Sequence, residues 1–437
     1  MPGGNGRECV NDARVREQSA AAGYLEEGRG ADLLALCLML FMVMNSVAMS
    51  LMPIVRDDLQ SMFSFSSSQI GFLTSIFMLA FALGAIPMGL AAVRWGGRTL
   101  IVGVLLFAAG SIVFAFSASY EWFLAGRALQ GIGGSTVIPV SNHLMTHTIA
   151  PRRQARALGI FGTGHGLGVV AALLILPSVQ AAGGYRAVFL VTAGIGVALA
   201  LVAAGQKHIR ARVERRPGEA TAAALLREVG SVATNRRLLL LAVINIGVMA
   251  IVVGILAWTP AFLNDQRGAS LAVAAYLTAG VGLAQMLGNI AGAAAMARWG
   301  KAFVLLCGMA VMLVATALAP LVPGFAPVIA CVVVAGFLTM AVFPAIMGSV
   351  PDIVRRRGQV GAASGFLNLT NLLGTLFAPW VFGILLDTYG TGPQDQGYLA
   401  GYLWLALFPL LGTIAAAVFM ATRRNARASA EAYAGEA

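Results

Sequence analysis

Few residues in this chain combine reactive chemistry with surroundings that would let them act on a solute. In RALQGIGGS, Arg127 to Ser135, an arginine stands inside an apolar run of helical length, and in GIFGTGHGLG, Gly159 to Gly168, His165 stands among glycines in another. An isolated charge in hydrocarbon is costly, so Arg127 is expected to face the interior of a helix bundle or a water-filled cavity. Two roles are open to it. It can tie its helix to backbone carbonyls or to Glu121, or it can attract an anion and lower the proton affinity of a neighbouring carrier. His165 suits proton exchange, because imidazole titrates near neutrality; the alternative is a neutral hydrogen-bonding group that joins two helices. Asp57, Asp58, Glu121 and Asp387 all fall at the ends of apolar runs, so no carboxylate is expected at mid-depth. Uncharged polar side chains within the runs are Asn45, Asn245, Gln285, Asn289, Thr339, Asn368 and Asn371. Gln285 and Asn289 are four apart and share a helix face. His143 and His147 have the same spacing but no third ligand, and no metal or cofactor site is expected.

The elements that must position these residues follow from composition. The chain has 437 residues, 59% of them hydrophobic and 11% charged, with a mean hydropathy of +0.82. A soluble domain has no use for that much apolar surface. A helix needs about 20 apolar residues to cross a bilayer, and runs of that length recur at 33–55, 69–93, 99–118, 122–147, 155–177, 185–204, 238–263, 271–297, 302–321, 326–349, 360–386 and 398–421. The reading is an all-α membrane protein of twelve spans. The first run is too long for a signal-peptide core and lacks a small-residue cleavage site, so it is expected to be retained. Residues 1–32 form a polar N-tail, 33–204 a first six-helix bundle, 205–237 a basic linker, 238–421 a second bundle and 422–437 a C-tail.

Charge sets the orientation, because Lys and Arg in short loops remain cytoplasmic. With both termini inside, 25 of the 29 basic residues are cytoplasmic, and Arg56, Arg186 and Arg267 lie outside with Arg127 in a span. The expected location is the inner (plasma) membrane. The net charge of +11 is then an orientation signal that also contacts anionic lipid, and no nucleic-acid partner is implied. Cys9, Cys37, Cys307 and Cys331 are scattered and suggest no disulfide framework.

The halves look like copies of one unit. AAVRWGGR, Ala91 to Arg98, is echoed by AMARWGKA, Ala295 to Ala302. Laying 159–168 over 365–374 sets His165 opposite Asn371 and Gly162 opposite Asn368. Small residues every four positions let helices approach closely in lipid. They occur as Ala85 and Gly89, Gly162 and Gly166, Gly164 and Gly168, Gly288 and Gly292, and Gly361 and Gly365, so the second, fifth, eighth and eleventh spans are the expected contact between halves.

With these residues in place, the chain resembles the major facilitator superfamily from about residue 33 to 421. Arg127, Gln130, Gly131 and Gly133 match the family's fourth-helix pattern R-x-x-Q-G-x-G. GLAAVRWGGR matches the loop between the second and third helices at Gly89, Ala92, Arg94 and Gly96, with Arg98 closing the stretch, and Arg298 is the second-half counterpart; Gly89, Arg94, Gly96, Arg98 and Arg298 are the expected conformational-switch residues. Val93, and Ala297 in the other half, stand where the family usually has an aspartate that helps hold the outward-open state. GGYRAVF, Gly183 to Phe189, resembles the family's pattern at the start of the sixth helix. The efflux pattern of the fifth helix is incomplete, since GIFGTGHGLG has no proline.

The resemblance implies two pseudo-symmetric six-helix bundles and a monomeric secondary transporter, not an enzyme, that works by alternating access on a small-molecule substrate. With Arg127 and His165 inside and no buried acid, the expected cargo is an organic anion, a carboxylate, carried in symport with a proton. The competing expectation is proton-coupled efflux of drugs or neutral metabolites, and a transporter-like receptor ranks below both. The expected substrate and coupling set is Arg127, His165, Asn45, Gln285, Asn289, Asn368 and Asn371.

Overall fold

The computed structural model describes residues 28–206, 233–354 and 359–435, with Ile209 and Gly230. Most of the N-tail and linker, and Arg355 to Arg357, lie outside the described residues.

Thirteen helices are found among the described residues. The first group is α1 (Gly28–Met49), α2 (Met52–Phe63), α3 (Ser67–Trp95), α4 (Arg98–Ala115), α5 (Tyr120–Gly134), α6 (Val137–Thr148) and α7 (Pro151–Gly205). The second is α8 (Arg236–Asp265), α9 (Leu271–Trp299), α10 (Lys301–Leu318), α11 (Phe325–Ile353), α12 (Gln359–Tyr389) and α13 (Gly397–Gly435). No strand occurs among the described residues, as expected where every backbone polar group must be satisfied within its own segment.

Ten of the described segments are long and apolar enough to cross a membrane. One of them, the 55-residue α7, folds into two at Gly183 and Gly184, where Gly184 takes φ 64°, a conformation that favours glycine. The pair α5 and α6 form one broken span. With those two additions the segments account for the twelve runs in the sequence. The break at Ser135 and Thr136 has a local cause: both hydroxyls donate back to carbonyls three residues earlier, and Pro139 lacks an N–H.

Two runs end differently from the sequence reading. The first is interrupted at Ser50 and Leu51 and then continues as α2, helped by Pro53 in its first turn, to Phe63 rather than residue 55. Arg56, expected in an outer loop, is therefore on a helix and only 4% exposed. At the other terminus α13 continues past residue 421.

Helices α1–α7 pack into one bundle and α8–α13 into another, and the bundles meet through α3 against α12 and α7 against α9. These are the four spans expected from the small-residue pattern, but mostly different residues make the contacts. Gly71 lies against the Pro379 carbonyl, Gly383 against the Ser67 carbonyl, and Gly166 against Gly282 and Met286. Gly164 and Gly168 instead pack on α1, and Gly288 and Gly292 on α11, inside their own bundles. Gly162 and Gly365 face open space, and Gly89 approaches only Pro139. Spacing marks a helix as able to approach another; it does not say which neighbour takes which face.

Within the first bundle, a Cβ on Gly133 would overlap the Gly103 carbonyl and the Phe107 amide of α4, whereas Gly194 has nothing within 4 Å. Gly133→Leu should therefore lower the thermal unfolding temperature of the detergent-solubilised protein, by an overpacking cost of about 1–3 kcal/mol. Gly194→Leu should leave that temperature nearly unchanged.

Candidate functional site

Arg127 is fully buried on α5. Its Nε donates to the Leu73 carbonyl of α3 at 3.2 Å, and one terminal nitrogen donates to the Ala48 carbonyl of α1 at 3.2 Å and to Gln130 Oε1 at 2.8 Å. Ala48 lies in the last turn of α1, where carbonyls lack intrahelical donors, so the guanidinium closes that helix end. Its carbon also lies 4.5 Å from the centre of the Phe77 ring. Gln130 passes the connection on, donating to Ser111 Oγ of α4 at 2.7 Å. The three-residue spacing of the R-x-x-Q pair puts both side chains on one face, and one polar node joins α1, α3, α4 and α5. Gly131 and Gly133 allow that approach, since a Cβ on either would overlap backbone of α3 or α4.

His165 on α7 shares a hydrogen bond between Nδ1 and Ser46 Oγ of α1 at 2.9 Å, while its buried Nε2 has no partner. Other buried polar atoms are likewise unpaired: Asn45 Oδ1 on α1, both side-chain amide atoms of Gln285 on α9, and Asn371 Oδ1 on α12. Such atoms are rare in folded proteins and call for a reason. His165 and Gln285 flank the contact of α7 with α9, since Gly166 and Met286, which touch, are their sequence neighbours. Asn289 and Asn368 are exposed on α9 and α12. Asn245 is tied into the second bundle by its Nδ2, which donates to the Leu367 carbonyl at 3.1 Å, while its Oδ1 is unpaired, as is one terminal nitrogen of Arg127 in the first bundle.

At the end away from the termini the bundles are locked together. Arg56 of α2 pairs with Asp265 of α8 at 2.7 Å, and the Tyr398 hydroxyl donates to the same carboxylate oxygen at 2.5 Å. Asp387 of α12 accepts the N–H groups of Ser67 and Ser68, at 2.7 and 2.8 Å, at the start of α3. An anion at a helix N-terminus satisfies free donors and meets the positive end of the dipole. Ser75 Oγ donates to the Leu376 carbonyl at 2.6 Å one level deeper. Sequence reasoning placed these charges at span ends but did not pair them, because the partners are hundreds of residues apart.

At the terminal end, Leu83 and Ile86 of α3, Leu158 of α7, Ile290 of α9 and Leu369 of α12 are exposed. Arg156 pairs with Asp32 and Lys301 with Asp352, each pair within one bundle. The duplicated loops have matching geometry. Arg94 lies over the Trp95 ring at 6.0 Å and Arg298 over the Trp299 ring at 5.7 Å, and Gly96 and Gly300 cap the two helices with φ 58° and 83°. Arg98 opens α4 on the far side of the first loop.

Two variant sets test these assignments. Arg127→Lys replaces the planar fork by a single nitrogen that cannot reach acceptors spread around Nε and a terminal nitrogen, so it should lower the thermal unfolding temperature, with buried carbonyls left unpaired at about 1–3 kcal/mol each; His165→Ala should unfold close to the parent. Breaking the lock with Arg56→Gln and Asp387→Asn should raise the alkylation rate of Ser75→Cys by a reagent added at that end, as the α3–α12 contact loosens.

A family model described as Major Facilitator Superfamily matches residues 34–294 and 261–435. The probable 4-methylmuconolactone transporter of Cupriavidus pinatubonensis is 27% identical over 239 residues, which are 52% of this chain and 54% of that relative, so the chain spans about half the relative's length. The hexuronate transporter of Bacillus subtilis is 24% identical over 383 residues, 83% of this chain and 88% of that one. Among solved structures, a bacterial homologue of the human lysosomal transporter Spinster, in an inward-facing and unoccupied conformation, superposes with a TM-score of 0.74. It is 20% identical, and the match covers 91% of this chain and 98% of that one.

Proposed function

Since the chain belongs to the Major Facilitator Superfamily, we propose that it is a secondary transporter that carries a small organic carboxylate together with a proton by alternating access. The observation that carries this reading is the set of unpaired polar atoms beside the α7–α9 contact, His165 Nε2 and the amide of Gln285, at a depth with no carboxylate of the protein's own. A buried donor without a partner suits an anionic ligand, and an imidazole held by Ser46 can take up a proton once an anion lies beside it. The hexuronate in one relative's name is an organic anion and is consistent with this choice.

Arg127 serves in this scheme as the tie of the first bundle, not as a direct ligand, because its guanidinium is enclosed. His165, Gln285 and Asn45 form the inner contact set. Asn289, Asn368 and Asn371 line the route from the terminal end. The excess of Lys and Arg at that end makes it cytoplasmic. The protein is then inward-open, with Arg56, Asp265 and Asp387 as the outer lock. Val93 and Ala297 supply no carboxylate to the opposing cytoplasmic latch, which leaves the inward-open state favoured at rest. The loop residues Gly89, Arg94, Gly96, Arg98 and Arg298 take part in the exchange between states.

The test is luminal pH in proteoliposomes of the purified protein, challenged with hexuronates and aromatic carboxylates beside lipophilic cationic drugs. Carboxylates should drive acidification, and His165→Ala should abolish the proton signal while permitting carboxylate exchange. Proton movement driven only by the drugs would overturn the reading in favour of an exporter.

A further inference from the structure

Away from the path between the bundles, the second bundle carries a crevice of about 500 Å³ between α9, α10 and α11. That lies within the roughly 300–1,000 Å³ typical of ligand pockets. Its walls are almost wholly apolar, because α9 offers Ala291, Ala294 and Ala295 where larger side chains would close the gap. At 3.6 residues per turn these positions and Arg298 fall on the opposite side of α9 from Gly282 and Met286, which meet α7. The crevice therefore opens outward, toward the membrane, at the terminal end of the bundle.

Its polar feature is at the mouth. Arg298 is exposed, and its described contact is with the ring of Trp299; among the described residues it has neither an ion pair nor a hydrogen bond. Lys301 nearby is already engaged, by Asp352 and by the Gly348 carbonyl. Trp299 is 58% exposed, as suits a ring at headgroup depth. An apolar slot topped by an exposed guanidinium and an interfacial indole has the chemistry of a lipid tail below a phosphate.

We propose that this crevice is a binding site for an anionic phospholipid, one acyl chain lying along Ala294 and Ala295 and the phosphate held by Arg298. A neutral phospholipid would fill the slot but gain less at its mouth. Arg94 and Trp95 repeat the headgroup pair in the first bundle and provide an internal control.

Cys307 lines the crevice and reports its occupancy. With the other cysteines replaced, the full chain is placed in nanodiscs of phosphatidylcholine with and without phosphatidylglycerol, and alkylation of Cys307 by N-ethylmaleimide is timed. Phosphatidylglycerol should slow the reaction by about fivefold, the scale of one basic residue at an anionic surface. Arg298→Gln should remove that dependence, Arg94→Gln should retain it, and Ala295→Leu should weaken retention of either lipid in native mass spectrometry. Rates indifferent to phosphatidylglycerol would overturn the proposal, as would equal effects of Arg298→Gln and Arg94→Gln. Because neither readout uses transport, the result stands apart from the identity of the cargo.

Discussion

Hydrocarbon offers no hydrogen bonds, so every polar group carried into it must find a partner within the protein or leave a cost behind. Arg127 is where that constraint acts most strongly. Its guanidinium takes up a carbonyl from the end of α1, another from α3 and the oxygen of Gln130, and Gln130 reaches Ser111 on α4. Four helices are thus fixed by one buried cation, and the glycines beside it allow the backbones to close around it. The first bundle can then move as a body, which a rocking mechanism requires.

The two ends of the molecule obey different physics. At the end away from the termini, the contacts between bundles are charge-assisted and specific: Arg56 with Asp265, and Asp387 with the first amides of α3. At the terminal end, large apolar side chains such as Leu83, Ile86 and Ile290 are left exposed. Between these regimes lie His165 and Gln285, with hydrogen-bonding atoms that the protein leaves unpaired. A conformational exchange has to break the first set of contacts and cover the second, and a ligand bound at the middle would bias which of the two prevails.

Much of this was legible in the residues. Hydropathy found the spans, and the R-x-x-Q-G-x-G stretch marked the node at Arg127. What stayed hidden was long-range or local in a way that periodicity cannot express. Arg56 read as a loop residue because the run of apolar residues ends before it, yet Pro53 restarts a helix that carries it to Asp265. Gly162 and Gly365 have the spacing of contact residues but face space, while Gly71 and Gly383, outside any such repeat, lie against backbone carbonyls of the opposite bundle. The Gly183 and Gly184 bend, by contrast, was prefigured in the GGYRAVF stretch.

Under the proposed alternating access, two rigid bundles exchange which end is closed. Double electron–electron resonance tests it directly, with spin labels on Met62→Cys and Gln394→Cys across the locked end and on Leu158→Cys and Ile290→Cys across the open one. Combining Arg56→Gln with Asp387→Asn should lengthen the first distance and shorten the second together. A longer first distance with the second unchanged would mean that the locked end merely frays, and would contradict the rocking of whole bundles.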